Sequence, residues 1–152
     1  TTFFDDVWKY LPSKNSWELV SAISNGNATI PLAAGVGAAY GNQHILLFSG
    51  DDGEKYNKTE GFINAANKEE DLEKKTQINK AKIEHLTSHP GFSKDVLAFN
   101  TIDKKWQKVG EIPQPAPVTT VLVKNNDTFF IANGEIKPGV RTPQVITVKI
   151  QK

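Results

Sequence analysis

Two segments with the same internal spacing decide the fold: residues 6–17, DVWKYLPSKNSW, and residues 95–106, DVLAFNTIDKKW. In both segments an Asp precedes an aromatic residue by four positions, and a Trp follows that aromatic residue by seven. Apolar and polar side chains alternate, which is typical of strands. Asn15 and Asp103 fall between the two strand-like parts, where these residue types favour turns. Each segment therefore predicts two short strands joined by a polar turn.

A second repeated pattern consists of two apolar runs that are separated by a turn and followed by glycine. It occurs at residues 31–50 and again at residues 117–134. The turn is Gly-Asn at residues 41–42 and Asn-Asn-Asp at residues 125–127. Together with the first pattern it makes a unit of four strands. Such a unit is typical of a blade in an all-β, kelch-type β-propeller, which repeats about every 50 residues.

The two copies of the first pattern lie 89 residues apart, so the blade that contains residues 31–110 must hold an insertion, at about residues 54–90. Residues 67–86 contain neither Gly nor Pro. Their apolar and small polar residues recur at helical spacing and predict one helix with one narrow stripe. That stripe comprises Leu72, Thr76, Asn79, Ile83 and Leu86. The charged run at residues 68–75 is interpreted as the solvated face of this helix, and the alternative is a lid or binding loop over the blade.

Three blade sections are predicted along the chain. Residues 3–20 are the last two strands of one blade, residues 31–110 are a full blade with its insertion, and residues 117–150 are a further blade. This is about two and a half blades, whereas a closed ring needs at least about four. We expect the remaining propeller blades to come from the same protein or from another chain. A start at Thr1 without an initiator Met favours a piece of a longer protein.

Composition excludes several classes of function. The 18 basic and 17 acidic residues leave a net charge of +1, which gives no broad basic field for nucleic acid. The absence of Cys excludes disulfides and thiolate metal sites, and no apolar run is long enough to cross a membrane. The acidic loop at residues 49–53 lacks the regularly spaced oxygens of a calcium site. We therefore predict no metal and no cofactor.

Histidine and the large aromatic residues receive structural interpretations. The three histidines are not spaced as a metal set, and we expect surface or structural roles for them. They are His44, His85 and His89. The aromatic residues of the repeats are able to stack on a sugar, but their recurring positions favour packing within blades. They are Trp8, Tyr10, Trp17 and Trp106.

The densest group of polar and charged residues is residues 133–142, NGEIKPGVRT. In a propeller, such a segment joins two strands of a blade at a rim of the central channel. Glu135 is suited to proton transfer, and the planar guanidinium of Arg141 is suited to binding a carboxylate. On these residues alone, a charged turn with a local Glu–Arg pair is the simpler interpretation.

The chain resembles the N-acetylneuraminate epimerase (sialic acid mutarotase) family of kelch propellers. The resemblance rests on FDDVWKY at residues 4–10, on NSW at residues 15–17, on the helical insertion in the next blade and, above all, on residues 133–142. It implies a propeller that is six-bladed when complete. The position of residues 133–142 near the end of the chain is similar to a cyclically permuted branch of that family.

This resemblance implies an isomerase that interconverts the anomers of N-acetylneuraminic acid by acid/base-catalysed ring opening, without a cofactor. It implies that Glu135 is the proton acceptor and that Arg141 is the second catalytic residue and binds the substrate carboxylate. Asn133 and Lys137 are the further predicted substrate contacts. It also implies a bacterial protein that is periplasmic or secreted, with an acidic sugar as its ligand and neither nucleic acid nor membrane as a partner.

Two alternatives remain open from the sequence. One is a non-enzymatic kelch-repeat module that binds another protein through its loops. The other is a propeller section that binds a sugar without catalysing its conversion. Glu135 and Arg141 discriminate the isomerase from the interaction module, since an interaction module needs neither a base nor a carboxylate-binding group.

Overall fold

A computed structural model describes residues 1–150, in which nine strands and two helices follow one another along the chain. The strands are β1 (Asp6–Leu11), β2 (Ser16–Ala22), β3 (Val36–Tyr40), β4 (His44–Phe48), β5 (Asp95–Asn100), β6 (Lys105–Glu111), β7 (Val121–Asn125), β8 (Thr128–Lys137) and β9 (Val140–Lys149). The helices are α1 (Glu54–Lys68) and α2 (Leu72–Thr87). Neither helix combines the length and the apolar character that crossing a bilayer takes.

The strands form three antiparallel sheets in which sequence neighbours are also spatial neighbours. The sheets are β1-β2, β3-β4-β5-β6 and β7-β8-β9. The middle sheet is the four-stranded unit that the repeats predict. The proposed boundaries of the individual blades stay a prediction.

The repeat extends to backbone detail. The turns after β1 and β5 both place one residue in the left-handed region, Asn15 at φ 45° and Lys104 at φ 58°. The pairings β1-β2 and β5-β6 each shift register at the equivalent point, after Val7 and after Val96. A shift of this kind bends a strand and increases its twist. The two segments that opened the sequence comparison are therefore the same structural unit.

The main core lies between the middle sheet and the β7-β8-β9 sheet. Leu46 and Phe48 alternate along β4, so both point to this core, and Phe129 of β8 meets Phe48 with ring centroids 5.4 Å apart. Both Phe side chains are fully buried. Burial of a side chain of this size stabilises a fold by about 1.5–3 kcal/mol. This packing fixes the position of β8, which carries Glu135.

The insertion is two antiparallel helices, so the prediction of a single helix over residues 67–86 is wrong. Helix α1 ends at Lys68, and Asp71 begins α2 by accepting hydrogen bonds from the amides of Glu73 (2.9 Å) and Lys74 (3.1 Å). An Asp at this position satisfies amides that lack a partner inside the helix. The charged run at residues 68–75 therefore spans the break between the helices.

The predicted stripe on α2 coincides only in part with the covered face of the helix. Leu72 is 79% exposed and Ile83 is 58% exposed. Asn79 and Leu86 of the stripe are half-buried together with Ile78 and His85, and the His85 ring lies 5.8 Å from that of Phe62 on α1. The orientation of α2 is thus set by its contact with α1, which the spacing of residues in α2 alone does not report.

The repeat aromatic residues have two different surroundings. Trp106 packs on Phe99 at 4.8 Å and donates a hydrogen bond to the Ser21 hydroxyl of the first sheet at 3.2 Å. Trp8 and Trp17 are 50% and 64% exposed within residues 1–150. The predicted packing role is therefore seen for Trp106, whereas Tyr10 contacts the exposed Trp17, with ring centroids 5.1 Å apart.

Candidate active site

The same backbone turn occurs twice, once in each of the two larger sheets. We call residues 49–51 (Ser-Gly-Asp) the first acidic turn and residues 133–135 (Asn-Gly-Glu) the second acidic turn. In each turn the first two residues have positive φ, 61° and 137° in the first and 51° and 114° in the second. The left-handed region favours Gly strongly and tolerates Asn. An acidic residue follows both times, so Asp51 and Glu135 occupy equivalent positions.

Each acidic residue is held by a pair of backbone hydrogen bonds to the segment that precedes the first strand of its sheet. Asp51 pairs with Ala33, with both bonds at 2.9 Å. Glu135 pairs with Val118, with bonds of 2.8 and 2.9 Å. The first residues of the apolar runs at 31 and 117 form these pairs, so strands β3 and β7 begin only at Val36 and Val121. The Thr119 amide also donates to the Ala34 carbonyl at 2.9 Å, which connects the two arrangements.

The carboxylate of Glu135 is oriented by its own hairpin. One oxygen, Oε1, accepts a hydrogen bond from the Gly139 amide at 2.7 Å, and Oε2 lies 4.0 Å from Nη2 of Arg141. Glu135 and Arg141 are register partners across β8 and β9. The Glu135 side chain is 24% exposed and that of Arg141 is 64% exposed. Residues 133–142 are thus the paired end of a β-hairpin, and not an open loop.

A cavity of about 520 Å³ brings these elements together. Asp51 and Glu135 both line it, next to the backbone segments at residues 33–34 and 118–119. The helical insertion and the loop after it form the facing wall. That wall includes Lys55, Tyr56, Thr59, Leu86, His89 and Phe92. The insertion therefore contributes directly to the cavity, as the lid interpretation of its sequence suggests.

The four predicted site residues have different positions relative to this cavity. Glu135 lines it, whereas Arg141 lies beside the Glu135 carboxylate and points largely into solvent. Asn133 is exposed, and its backbone carbonyl accepts a hydrogen bond from the Thr120 hydroxyl at 3.0 Å. Lys137 is half-buried at the end of β8. The predicted roles of these residues stay predictions.

His89 belongs to the same cavity, and the sequence interpretation missed this. The residue is only 5% exposed, its ring lies 5.3 Å from that of Phe92, and its Nδ1 accepts a hydrogen bond from the Gly91 amide at 3.0 Å. From the sequence, His89 is expected to have only a surface or structural role. No spacing rule links it to Glu135, because the two meet only through the fold.

Burial lowers the pKa of His89 below its ordinary value of 6.5. The nearby Asp51 carboxylate opposes this effect, while the charges of His85, Lys137 and Lys55 add to it. The ring is therefore neutral at physiological pH. Within residues 1–150, no group of three or more His, Cys, Asp or Glu side chains is arranged to hold a metal ion.

The lowered pKa of His89 makes stability depend on pH. Below about pH 6.5 the unfolded chain binds a proton at this histidine that the folded chain does not bind, so acidification favours unfolding. We expect the free energy of unfolding to fall as the pH decreases from about 7.5 to 5.5, and to fall less for His89→Asn. Urea unfolding at several pH values measures both. An equal loss in the two proteins would contradict the lowered pKa.

The fold and the cavity define the class of protein: a section of a kelch-type β-propeller with a carboxylate-lined cavity beneath a helical insertion. The sequence profile of the N-acetylneuraminate epimerase family matches residues 1–152. The chain belongs to the N-acetylneuraminate epimerase family.

Individual relatives agree with this assignment. The chain is 31% identical over 150 residues to N-acetylneuraminate epimerase of Escherichia coli O157:H7, covering 95% of this chain and 38% of the relative. It is 28% identical over 139 residues to the enzyme of that name from Salmonella paratyphi B, covering 91% of this chain and 34% of the relative. The chain thus spans about a third of the length of such relatives.

The solved structure of YjhT superimposes on this fold with a TM-score of 0.74 at 26% sequence identity. The match covers 96% of this chain and 41% of YjhT. The predicted fold class, a partial kelch-type β-propeller with a helical insertion, is confirmed.

Proposed function

We propose that the protein containing this chain interconverts the anomers of N-acetylneuraminic acid, with Glu135 as the proton acceptor. The observation that carries the proposal is the position of Glu135. Its backbone N–H and C=O are both hydrogen-bonded to Val118, and it lines a cavity whose volume of about 520 Å³ is typical of small-molecule sites. Membership of the N-acetylneuraminate epimerase family supplies the substrate class.

The reaction opens and recloses a hemiketal ring. The Glu135 carboxylate takes the proton of the anomeric hydroxyl, and the ring C–O bond breaks as a carbonyl forms. The electron pair of that bond moves to the ring oxygen, which takes up a proton. Rotation about the adjacent bond presents the other face of the carbonyl, and the reverse steps close the ring as the second anomer. The hydrogen bond from Gly139 orients Glu135 for this transfer.

Arg141 is suited to hold the substrate carboxylate, which lies on the reacting carbon. Its guanidinium offers a planar pair of donors that matches a carboxylate. Within residues 1–150, the only ion pair of Arg141 is the 4.0 Å contact with Glu135. Most of its donors are therefore available to a ligand beside the base.

We also propose that the protein is periplasmic or secreted. We further propose that the remaining propeller blades come from the same protein or from another chain. The intact mass of the protein from its source distinguishes the two origins, because a mass close to 16.8 kDa requires a second chain.

Exchange NMR on the intact protein tests the function. With sialic acid, we expect the rate of anomer exchange to rise in proportion to protein concentration, and with a neutral hexose we expect no change. In saturation-transfer NMR, we expect a signal from the protein to sialic acid and none to the neutral hexose. Binding without faster exchange would reduce the protein to a sugar-binding propeller, and the absence of both effects would favour the protein-interaction module.

Arg141→Lys is expected to raise the half-saturating concentration of sialic acid by about 10- to 100-fold, the effect of a lost charge-assisted hydrogen bond. Lysine keeps the positive charge but not the paired donors. The maximal rate should fall by less than this. Lys149→Gln is the control, since it removes an exposed charge from the same strand. Equal half-saturating concentrations for Arg141→Lys and the parent would remove Arg141 from the substrate site.

A further inference from the structure

Local contacts after α2 place His89 in the cavity. It follows the end of α2 and is buried against the Phe92 ring. The backbone after it turns at Gly91, whose φ is 103° and which lies against the carbonyl of Ile136 on β8. The loop of His89 therefore packs on the strand that carries Glu135, and both side chains line one cavity.

The hydrogen bonding of His89 fixes which ring nitrogen carries the proton. The Gly91 amide donates to Nδ1 at 3.0 Å, so Nδ1 must present a lone pair. In a neutral imidazole the proton then resides on Nε2. Protonation of Nδ1 would set two N–H groups against each other, which is a second reason for the ring to remain neutral.

The Nε2–H group of His89 is available to a ligand. Across residues 1–150, no acceptor lies within hydrogen-bonding distance of it. His89 is only 5% exposed, but its Nε2 remains accessible from the cavity, because Ser49 Oγ is the one fully buried side-chain polar atom without a partner in this range. The arrangement is therefore that of a donor held ready for an oxygen in the cavity.

The charged groups around His89 favour the neutral ring. Lys55 of α1, His85 of α2 and Lys137 of β8 disfavour a positive charge, and only Asp51 of the first acidic turn favours it. A neutral imidazole acts as a hydrogen-bond donor to a negatively charged oxygen without losing its proton.

We propose that His89 is a further catalytic residue, whose Nε2–H donates a hydrogen bond to the sugar oxygen on which negative charge develops during ring opening. This inference rests on the function proposed above. Glu135 holds the proton of the anomeric hydroxyl, and the electron pair of the broken C–O bond moves to the ring oxygen. That oxygen takes its proton from solvent water, and Glu135 later returns its own to solvent. His89 ends each cycle in its starting state.

Two substitutions separate a donor role from a structural one. Asn at position 89 offers Oδ1 to the Gly91 amide, as in an Asx-turn, and lacks a group at the position of Nε2. Gln at position 89 reaches the position of Nε2 with an amide N–H donor and gives up the hydrogen bond from Gly91. If His89 acts as a donor, the rate of anomer exchange should be higher for His89→Gln than for His89→Asn. If its role is structural, the order of the two rates should be reversed.

We expect His89→Asn to lower the maximal rate of anomer exchange by about 100-fold, as for loss of a donor to a developing oxyanion, with half-saturation changed little. His89→Gln should retain a rate within about tenfold of the parent. His44→Asn is the control, because His44 is the first residue of β4, at the opposite end of that strand from the first acidic turn, and does not line the cavity. Urea unfolding of each variant shows that the fold is kept.

The outcomes separate the two proposals. If the parent does not accelerate exchange, the proposed function fails, whatever His89 does. If the parent is active and Glu135→Gln is not, but His89→Asn matches the parent, then the role of His89 alone is overturned. An active parent with His89→Gln slower than His89→Asn would also overturn it, since the Gly91 contact would then be the important one.

Discussion

Glu135→Gln is expected to lower the catalysed rate of anomer exchange by about 10²- to 10⁴-fold, the usual contribution of a general base. Glutamine has the same shape and still offers Oε1 to the Gly139 amide, so the hairpin should remain intact. It has no negative charge and does not accept a proton at neutral pH. Exchange NMR with sialic acid at saturating and at low concentration measures the effect on each kinetic parameter.

The matched control is Glu18→Gln. Glu18 lies on β2, is about half exposed, and faces Lys104 at 3.9 Å, so the substitution removes a surface charge without touching the cavity. We expect its exchange rate to equal that of the parent. If Glu135→Gln is also within about threefold of the parent, Glu135 is not the base.

Gly134→Ala is expected to destabilise the fold by about 2–5 kcal/mol, from backbone strain and steric overlap together. Gly134 has φ 114°, a conformation that side chains rarely adopt. An added Cβ would lie 2.8 Å from Cβ of Thr120 and 2.8 Å from the carbonyl oxygen of Val118. The Val118 contact belongs to the bridge that positions Glu135, so exchange activity should fall as well.

Gly139→Ala separates the two contributions to this loss. Gly139 also has positive φ, at 74°, but an added Cβ would meet no atom within 4 Å. The free energy of unfolding should therefore drop by only about 1 kcal/mol. Urea unfolding compares both variants with the parent. Equal losses at the two positions would show that the steric overlap at Gly134 is relieved by a shift of its neighbours.

The strands were predictable because their signals are local. The spacing of Asp, aromatic residue and Trp repeats in sequence, and the structure repeats it down to the register shifts after Val7 and Val96. The helical insertion was predictable only as a helical region. Its break depends on the capping of α2 by Asp71, which competes with continuation of the helix in a uniformly polar sequence.

The candidate site was predictable in part for a related reason. Glu135 and Arg141 lie six residues apart and meet across one hairpin, so a short motif contains both. His89 lies far from them in sequence and reaches the cavity through the packing of its loop on β8. Asp51 was visible only as an acidic loop, because its equivalence to Glu135 depends on matching backbone torsions.

In each of two neighbouring sheets, the same backbone turn holds one acidic residue at the cavity. The length of the side chain then determines how far its carboxylate extends from the main chain. Asp51 is one methylene shorter than Glu135, which withdraws its carboxylate by about 1.5 Å. Its Oδ1 is held by the Gly53 amide at 2.9 Å, two residues away, as the Glu135 carboxylate is held by Gly139. Exchanging Asp and Glu between positions 51 and 135 would therefore move the longer carboxylate from one sheet to the other without a change in the main chain.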